Sequence, residues 1–179
     1  MRIVSGKFRA KKLCPPSHDI RPTLDKVKQA LFTKLQFRIE GAAVLDLFSG
    51  SGALGIEAIS RGARKVVFVD SNTKSIDLTK KNVSSLKLDG ACKIEIKKSD
   101  FLTYLESAKE KFDIIILDPP YEKGFYTPAL EAIFKNNLLT EEGVIVCEHL
   151  RTHPLSQDFF EVMDIKNYGT VTLTYLTKK

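Results

Sequence analysis

Val44 to Ala58 read VLDLFSGSGALGIEA, and this stretch decides how the rest of the chain is read. AAVLDLF is an apolar run of strand length, and GALGIEAISRGA carries helical periodicity up to the stop at Gly62. Between them GSGALG, Gly50 to Gly55, matches G-x-G-x-x-G. A strand, a glycine turn and a helix in that order open a βαβ unit. Glycine makes the tight turn possible and lets a ligand approach the backbone and the helix N-terminus. The motif by itself is shared by many dinucleotide folds, in which an acid at the end of the next strand, here Asp70, takes the ribose hydroxyls.

Working outward, the same alternation continues. KVVFVD is a second strand, followed by a helix near residues 73–87. CKIEIKKSD is a third strand, FLTYLESAK a short helix and FDIIILD a fourth strand. A helix near 126–136 and the strand GVIVCEH follow, and FFEVMDIKNYGTVTLTYLTKK reads as a closing hairpin that turns at Tyr168-Gly169. Alternating strands and helices predict an α/β, Rossmann-like, mostly parallel sheet with helices on both faces and a C-terminal antiparallel hairpin. Upstream, RIVSG and AKKL predict a short hairpin around Gly6, and CPPSHDIRP a proline-punctuated linker. A helix is then expected with Thr23 as N-cap, Asp25 in its first turn and Val27, Leu31 and Leu35 on one face.

Sheets of this kind bind ligands at the carboxyl ends of their strands. Asp46, Asp70, Asp100 and Asp118 follow strands one to four in turn. Any one of them reads equally well as a strand-end cap or turn former, but all four on one sheet edge point to a ligand. Asp46, four residues ahead of Gly50, would repel a pyrophosphate and welcome an ammonium group. Asp100 is placed to accept a bond from an adenine amine. Acids around an adenosine-sized slot suit S-adenosylmethionine, which carries an ammonium and a sulfonium, better than a nicotinamide dinucleotide.

The tetrad DPPY, Asp118 to Tyr121, ends the fourth strand abruptly, because neither Pro119 nor Pro120 has an N–H for the ladder. An exocyclic amine of a nucleobase is a poor nucleophile, since its lone pair is delocalised into the ring. The Asp118 carboxylate and the Pro119 carbonyl, stiffened by Pro120, can take its hydrogens and localise that pair. Tyr121 offers a face to a base swung out of its stack, a contact worth about 1–3 kcal/mol. The reading is catalysis by orientation and electrostatics, without a metal. His18, His149 and His153 have no metal-ligand spacing with any cysteine.

At 179 residues and 43% hydrophobic composition the chain suits one sizeable core, and no apolar run reaches a membrane span. The N-terminus has no signal-peptide pattern, and Cys14, Cys92 and Cys147 are too scattered for a disulfide framework, so a cytoplasmic protein with reduced thiols is expected. The net charge of +6 is unevenly placed. Residues 1–40 hold ten Lys or Arg against three acids, whereas the rest holds 18 against 19. Such asymmetry fits a phosphate-backbone partner, and equally a solvated surface. EKGFY, Glu122 to Tyr126, fits a lid hinged at Gly124 or an ordinary loop.

VLDLFSGSGALGIEA with Asp70, Asp100 and DPPY resembles the class I S-adenosylmethionine-dependent N-methyltransferases. RIVSGKFRAKKL, IRPTLDKVKQALF and NYGTVTLTYL narrow the resemblance to the bacterial family that methylates the N2 amine of one guanine in small-subunit (16S) ribosomal RNA. The resemblance covers essentially the whole chain. It implies S-adenosylmethionine as cofactor, held by Asp46, Phe48, Gly50, Ser51, Gly52, Asp70, Asp100 and Phe101, with Asp118, Pro119, Pro120 and Tyr121 on the target base. Residues 1–40 would be a basic RNA-contacting extension, with Arg9, Lys11, Lys12, Arg21 and Thr23 as substrate contacts, and 41–179 the methyltransferase domain. The partner would be small-subunit ribosomal RNA or the assembling subunit, and the protein a monomer. An adenine-N6 enzyme also fits DPPY but usually carries a separate recognition region. A nicotinamide oxidoreductase leaves DPPY unexplained, and a non-catalytic RNA-binding module leaves the cofactor slot unexplained.

Overall fold

The computed structural model describes residues 1–15, 25–87, 90, 92–153, 155 and 158–179. The elements run α1 Asp25–Lys34, β1 Ala43–Asp46, α2 Ala53–Ser60, β2 Lys65–Asp70, α3 Thr73–Ser84 and β3 Lys93–Lys98. They continue with α4 Phe101–Ser107, β4 Phe112–Leu117, a 3-10 turn Tyr121–Lys123, α5 Tyr126–Lys135, β5 Leu139–Leu150, β6 Glu161–Tyr168 and β7 Val171–Thr177. The strands form one sheet in the order β3-β2-β1-β4-β5-β7-β6. Strands β1 to β5 pair in parallel, and β7 pairs antiparallel with both β5 and β6. The order reverses beside β1, which places the crevice of a doubly wound sheet over β1 and β4.

Strand side chains alternate between faces, so the unbroken apolar runs reflect a sheet covered on both sides. Val44, Val66, Phe68, Ile114, Ile116, Val144 and Val146 pack on the face that carries α1 and α2. Leu45, Val67, Val69, Ile115, Leu117, Ile145 and Cys147 pack on the opposite face against α4 and α5. Ile3, Leu13, Val27, Leu31, Phe32, Leu35 and Ile39 join the first cluster, so the basic N-terminal segment is seated on the α/β body by apolar contact.

Two local expectations are corrected. The hairpin around Gly6 is reduced to one bridge, Arg2 to Lys12, with turns between. Ile3 N and Leu13 N bond across the arms to the Lys11 and Met1 carbonyls at 3.0 and 3.1 Å, but four N–H groups between go to α2: Val4 and Ser5 donate to the Glu57 carboxylate at 2.9 Å each, Lys7 to the Ser60 carbonyl at 2.7 Å and Phe8 to Ser60 Oγ at 3.0 Å. Strand β5 also starts four residues before GVIVCEH, because Leu139 pairs with Phe112 ahead of a bulge between Phe112 and Ile114. The Thr23 cap lies outside the described residues, while Val27, Leu31 and Leu35 are buried as expected.

Candidate active site

The carboxyl ends of β1 to β5 open into a cleft of about 560 Å³. Its wall brings together Phe48, Gly50, Asp70, Asp100, Phe101 and the whole tetrad Asp118 to Tyr121. Asp46, Ser51, Gly52, Arg9, Lys11 and Lys12 are not on that wall.

The glycine loop gets its shape from below. Gly50 and Gly52 take φ values of 53° and 78°, the left-handed region that side chains disfavour. Two buried residues of α3 fix the loop's carbonyls: Thr79 Oγ1 donates to Gly50 O at 3.1 Å and Asn82 Nδ2 donates to Ser51 O at 2.9 Å. Asp46 is only 2% exposed, and its Oδ2 accepts the Gly55 N–H at 2.9 Å, inside the first turn of α2. Burial pushes its carboxyl up to about 7, against the Gly55 hydrogen bond and with a smaller contribution from Asp70. The sequence places Asp46 in front of a ligand; the fold places it under the loop.

Asp70 reaches the cleft while both its oxygens brace the rim, Oδ2 accepting from Gly50 N at 2.9 Å and Oδ1 from Asn72 N at 2.8 Å. Asp100 caps α4 through Oδ1, which accepts from Leu102 N at 2.9 Å and Thr103 N at 3.3 Å. A cap and a ligand contact are thus compatible at one residue. Between these acids Phe48, Phe101 and Phe125 form an aromatic cluster, with Phe48 and Phe125 stacked at 6.0 Å and Phe101 5.0–5.2 Å from each. Its faces suit a flat ring system.

At the other end of the cleft Pro119 and Pro120 close β4, and Tyr121 opens the 3-10 turn. The Tyr121 hydroxyl donates to Oε1 of Glu148 at 3.0 Å. Glu148 is 5% exposed, lines the cleft, and uses its carbonyl to accept from the Tyr126 hydroxyl. Sequence reasoning passed over Glu148 and Phe125. The available signal for Glu148 was an acid at the end of the apolar run GVIVC, on the same sheet edge as the other acids. Within EKGFY, Gly124 has a φ of 64° with open space around it, while Phe125 is held in the aromatic cluster.

The basic segment sorts into used and exposed charges. Lys28 is fully buried, 3.9 Å from the fully buried Glu57 carboxylate, and burial holds its pKa below the ordinary lysine value. Lys34 pairs with Asp164 at 2.8 Å, Arg2 with Asp25 at 3.2 Å, and Lys11 donates to the Ser85 carbonyl. Arg9 and Lys12 are exposed. Arg21 and Thr23 lie outside the described residues. Among the described residues no cluster of His, Cys, Asp and Glu could hold a metal, and no helix is long and apolar enough to cross a membrane.

The family described as "Conserved hypothetical protein 95" matches residues 1–177. YlbH of Bacillus subtilis (strain 168) is 37% identical over 153 residues, covering 84% of this chain and 83% of that protein. The "Ribosomal RNA small subunit methyltransferase D" of Haemophilus influenzae is 35% identical over 158 residues, covering 87% and 81%. The solved structure of yhhF from Escherichia coli superposes with a TM-score of 0.88 at 28% identity, over 100% of this chain and 98% of that one. The fold is the Rossmann-like methyltransferase fold.

Proposed function

The chain belongs to the "Conserved hypothetical protein 95" family, and from that premise we propose that it methylates the N2 amine of a guanine in small-subunit ribosomal RNA. The observation that carries the reading is one cleft with an adenosine-sized acidic and aromatic end and a DPPY turn at the other. The name of the Haemophilus influenzae relative supports ribosomal RNA of the small subunit as substrate.

The residues present fit S-adenosylmethionine. Asp70 would hold the ribose hydroxyls, Oδ2 of Asp100 the adenine amine, and the cluster of Phe48 and Phe101 would pack against the adenine, while Asp46, Ser51 and Gly52 shape the loop at Gly50. The cofactor, when bound, supplies an electrophilic methyl group on a sulfonium. Asp118 and the Pro119 carbonyl accept hydrogen bonds from the two hydrogens of the amine and aim its lone pair, and one of those two protons leaves the nitrogen as it gains the methyl group. Asp118 also stabilises the positive charge that grows on that nitrogen as the new bond forms. Tyr121 stacks on the extruded base. Arg9, Lys11 and Lys12 contact RNA phosphates, so residues 1–40 act as the RNA-contacting part and 41–179 as the methyltransferase part.

Incubation with methyl-tritiated S-adenosylmethionine and free RNA, small ribosomal subunits or DNA, followed by digestion, tests the reading. N2-methylguanosine from RNA or subunits is expected. Label in N6-methyladenosine, or in DNA alone, overturns it.

A further inference from the structure

We propose that Glu148 reads the N1–H of the target guanine beside the amine held by Asp118, and thereby rejects adenine and cytosine. This rests on the guanine-N2 reading above and adds the residue that chooses the base. Strands β4 and β5 run in parallel with Leu117 opposite Cys147. Asp118, the first residue beyond β4, and Glu148, still on β5, follow that pair directly, which brings them to neighbouring positions at the ends of strands about 4.8 Å apart. Both line the cleft together with Pro119 and Tyr121.

Glu148 is fixed in this place. Its Oε1 accepts from the Tyr121 hydroxyl at 3.0 Å, and its carbonyl accepts from the Tyr126 hydroxyl. A carboxylate only accepts hydrogen bonds, so two in a row select a partner edge with donors in a row. Guanine has that edge: the N2 amine and, on the adjoining ring atom, N1–H. Adenine and cytosine present an amine beside a ring nitrogen with a lone pair. That lone pair would face the Glu148 carboxylate, acceptor against acceptor, with neither satisfied in a buried site. Sites built to bond a substrate N–H reject analogues that lack it by large factors. Tyr121 then has two tasks, stacking through its ring and orienting Glu148 through its hydroxyl.

The test replaces the modified guanosine of the small-subunit RNA by 2-aminopurine riboside, which keeps the 2-amino group and has no proton on N1. Single-turnover methylation of both RNAs is compared for the wild type, Glu148→Gln and Tyr121→Phe. Comparing the ratio between variants cancels the loss of O6. The wild type should prefer guanosine by ~100-fold or more. Glu148→Gln should shrink that preference at least tenfold, since its amide N–H can donate to the bare N1, with S-adenosylmethionine affinity unchanged. Tyr121→Phe should shift the ratio in the same direction and by less, and it decides the matter should Glu148→Gln fail to fold. A guanosine preference identical in all three proteins overturns the proposal and leaves Glu148 as a support for Tyr121. Label on a nucleoside other than guanosine overturns both this inference and the guanine-N2 reading, and digestion distinguishes the two failures.

Discussion

A Cβ placed on Gly55 would lie 2.2 Å from Cε1 and 2.7 Å from Cζ of Phe68. Helix α2 therefore touches β2 backbone-to-ring, and this contact sets the height of the glycine loop above the sheet. Alanine improves helix propensity over glycine by up to about 1 kcal/mol, whereas overpacking a core costs about 1–3 kcal/mol. Overpacking should win. Gly55→Ala is expected to lower the urea midpoint without changing the slope, and Phe68→Leu in the same chain should recover part of the loss in a double-mutant cycle. Wild-type stability of Gly55→Ala would show that α2 moves off the ring freely.

Asp46 should give the fold a pH dependence of a particular sign. Its folded pKa is raised from 3.8 to about 7, so the folded state binds its proton more tightly. The stability it contributes is complete below pH 4 and is lost as pH rises through about 7. Asp46→Asn keeps an oxygen for the Gly55 N–H and cannot titrate. Relative to the wild type, the variant should gain a few kcal/mol between pH 4 and 8 in urea unfolding. Parallel pH profiles of the two proteins would contradict the assignment.

The two ends of the cleft should fail differently. Asp70→Ala removes the partner of Gly50 N and the proposed ribose contact, and calorimetry should show S-adenosylmethionine affinity weakened by about 1.5–3 kcal/mol. Asp118→Ala should leave that affinity nearly unchanged and slow single-turnover methyl transfer by ~100-fold, about 2.7 kcal/mol in the barrier. Swapped phenotypes would invert the assignment of the two ends.

The cations of the N-terminal segment should likewise separate. Joint replacement of the exposed Arg9 and Lys12 by Ala should flatten the salt dependence of RNA binding by roughly one to two units of slope and leave unfolding untouched. Lys28→Ala should do the reverse, because it removes a fully buried side chain and the cation 3.9 Å from Glu57, leaving that carboxylate with Arg61 at 2.9 Å. Losing a buried partner outright costs about 3–5 kcal/mol, and the remaining Arg61 pair should hold the loss below that range. An unaltered salt slope in the Arg9 and Lys12 variant would mark those charges as merely solvated.

The sheet was legible because its signal is local. Each strand is a short apolar run, each helix keeps its period, and the acids at the strand ends mark the working edge. What escaped depends on contacts between distant positions. The Gly6 hairpin is shorter than its sequence suggests because Glu57 and Ser60, more than fifty positions away, take the N–H groups of Val4, Ser5 and Phe8. Asp46 looks like a ligand group in one dimension, and only the start of α2 folding over it turns its carboxylate to Gly55 N. Counting charge could not separate Lys28 from Arg9, since burial decides which one meets solvent. Tyr121 suggested a ring alone, and its hydroxyl acquired a role only when β5 brought Glu148 alongside.

Asn82 accepts from Cys14 N at 2.8 Å and donates to the Ser51 carbonyl of the glycine loop, while Glu57 grips Val4 and Ser5. These bonds span 31 to 68 positions of sequence. Translation runs from low numbers to high, so residues 3–14 are made long before the helices that receive them. Residues 4–8 have no anchor until α2 has been made, and Cys14 none until α3 has, and contacts of such separation form slowly. Arg9 and Lys12 lie between those two anchors, so the exposed basic surface exists only where α2 and α3 are folded beneath it.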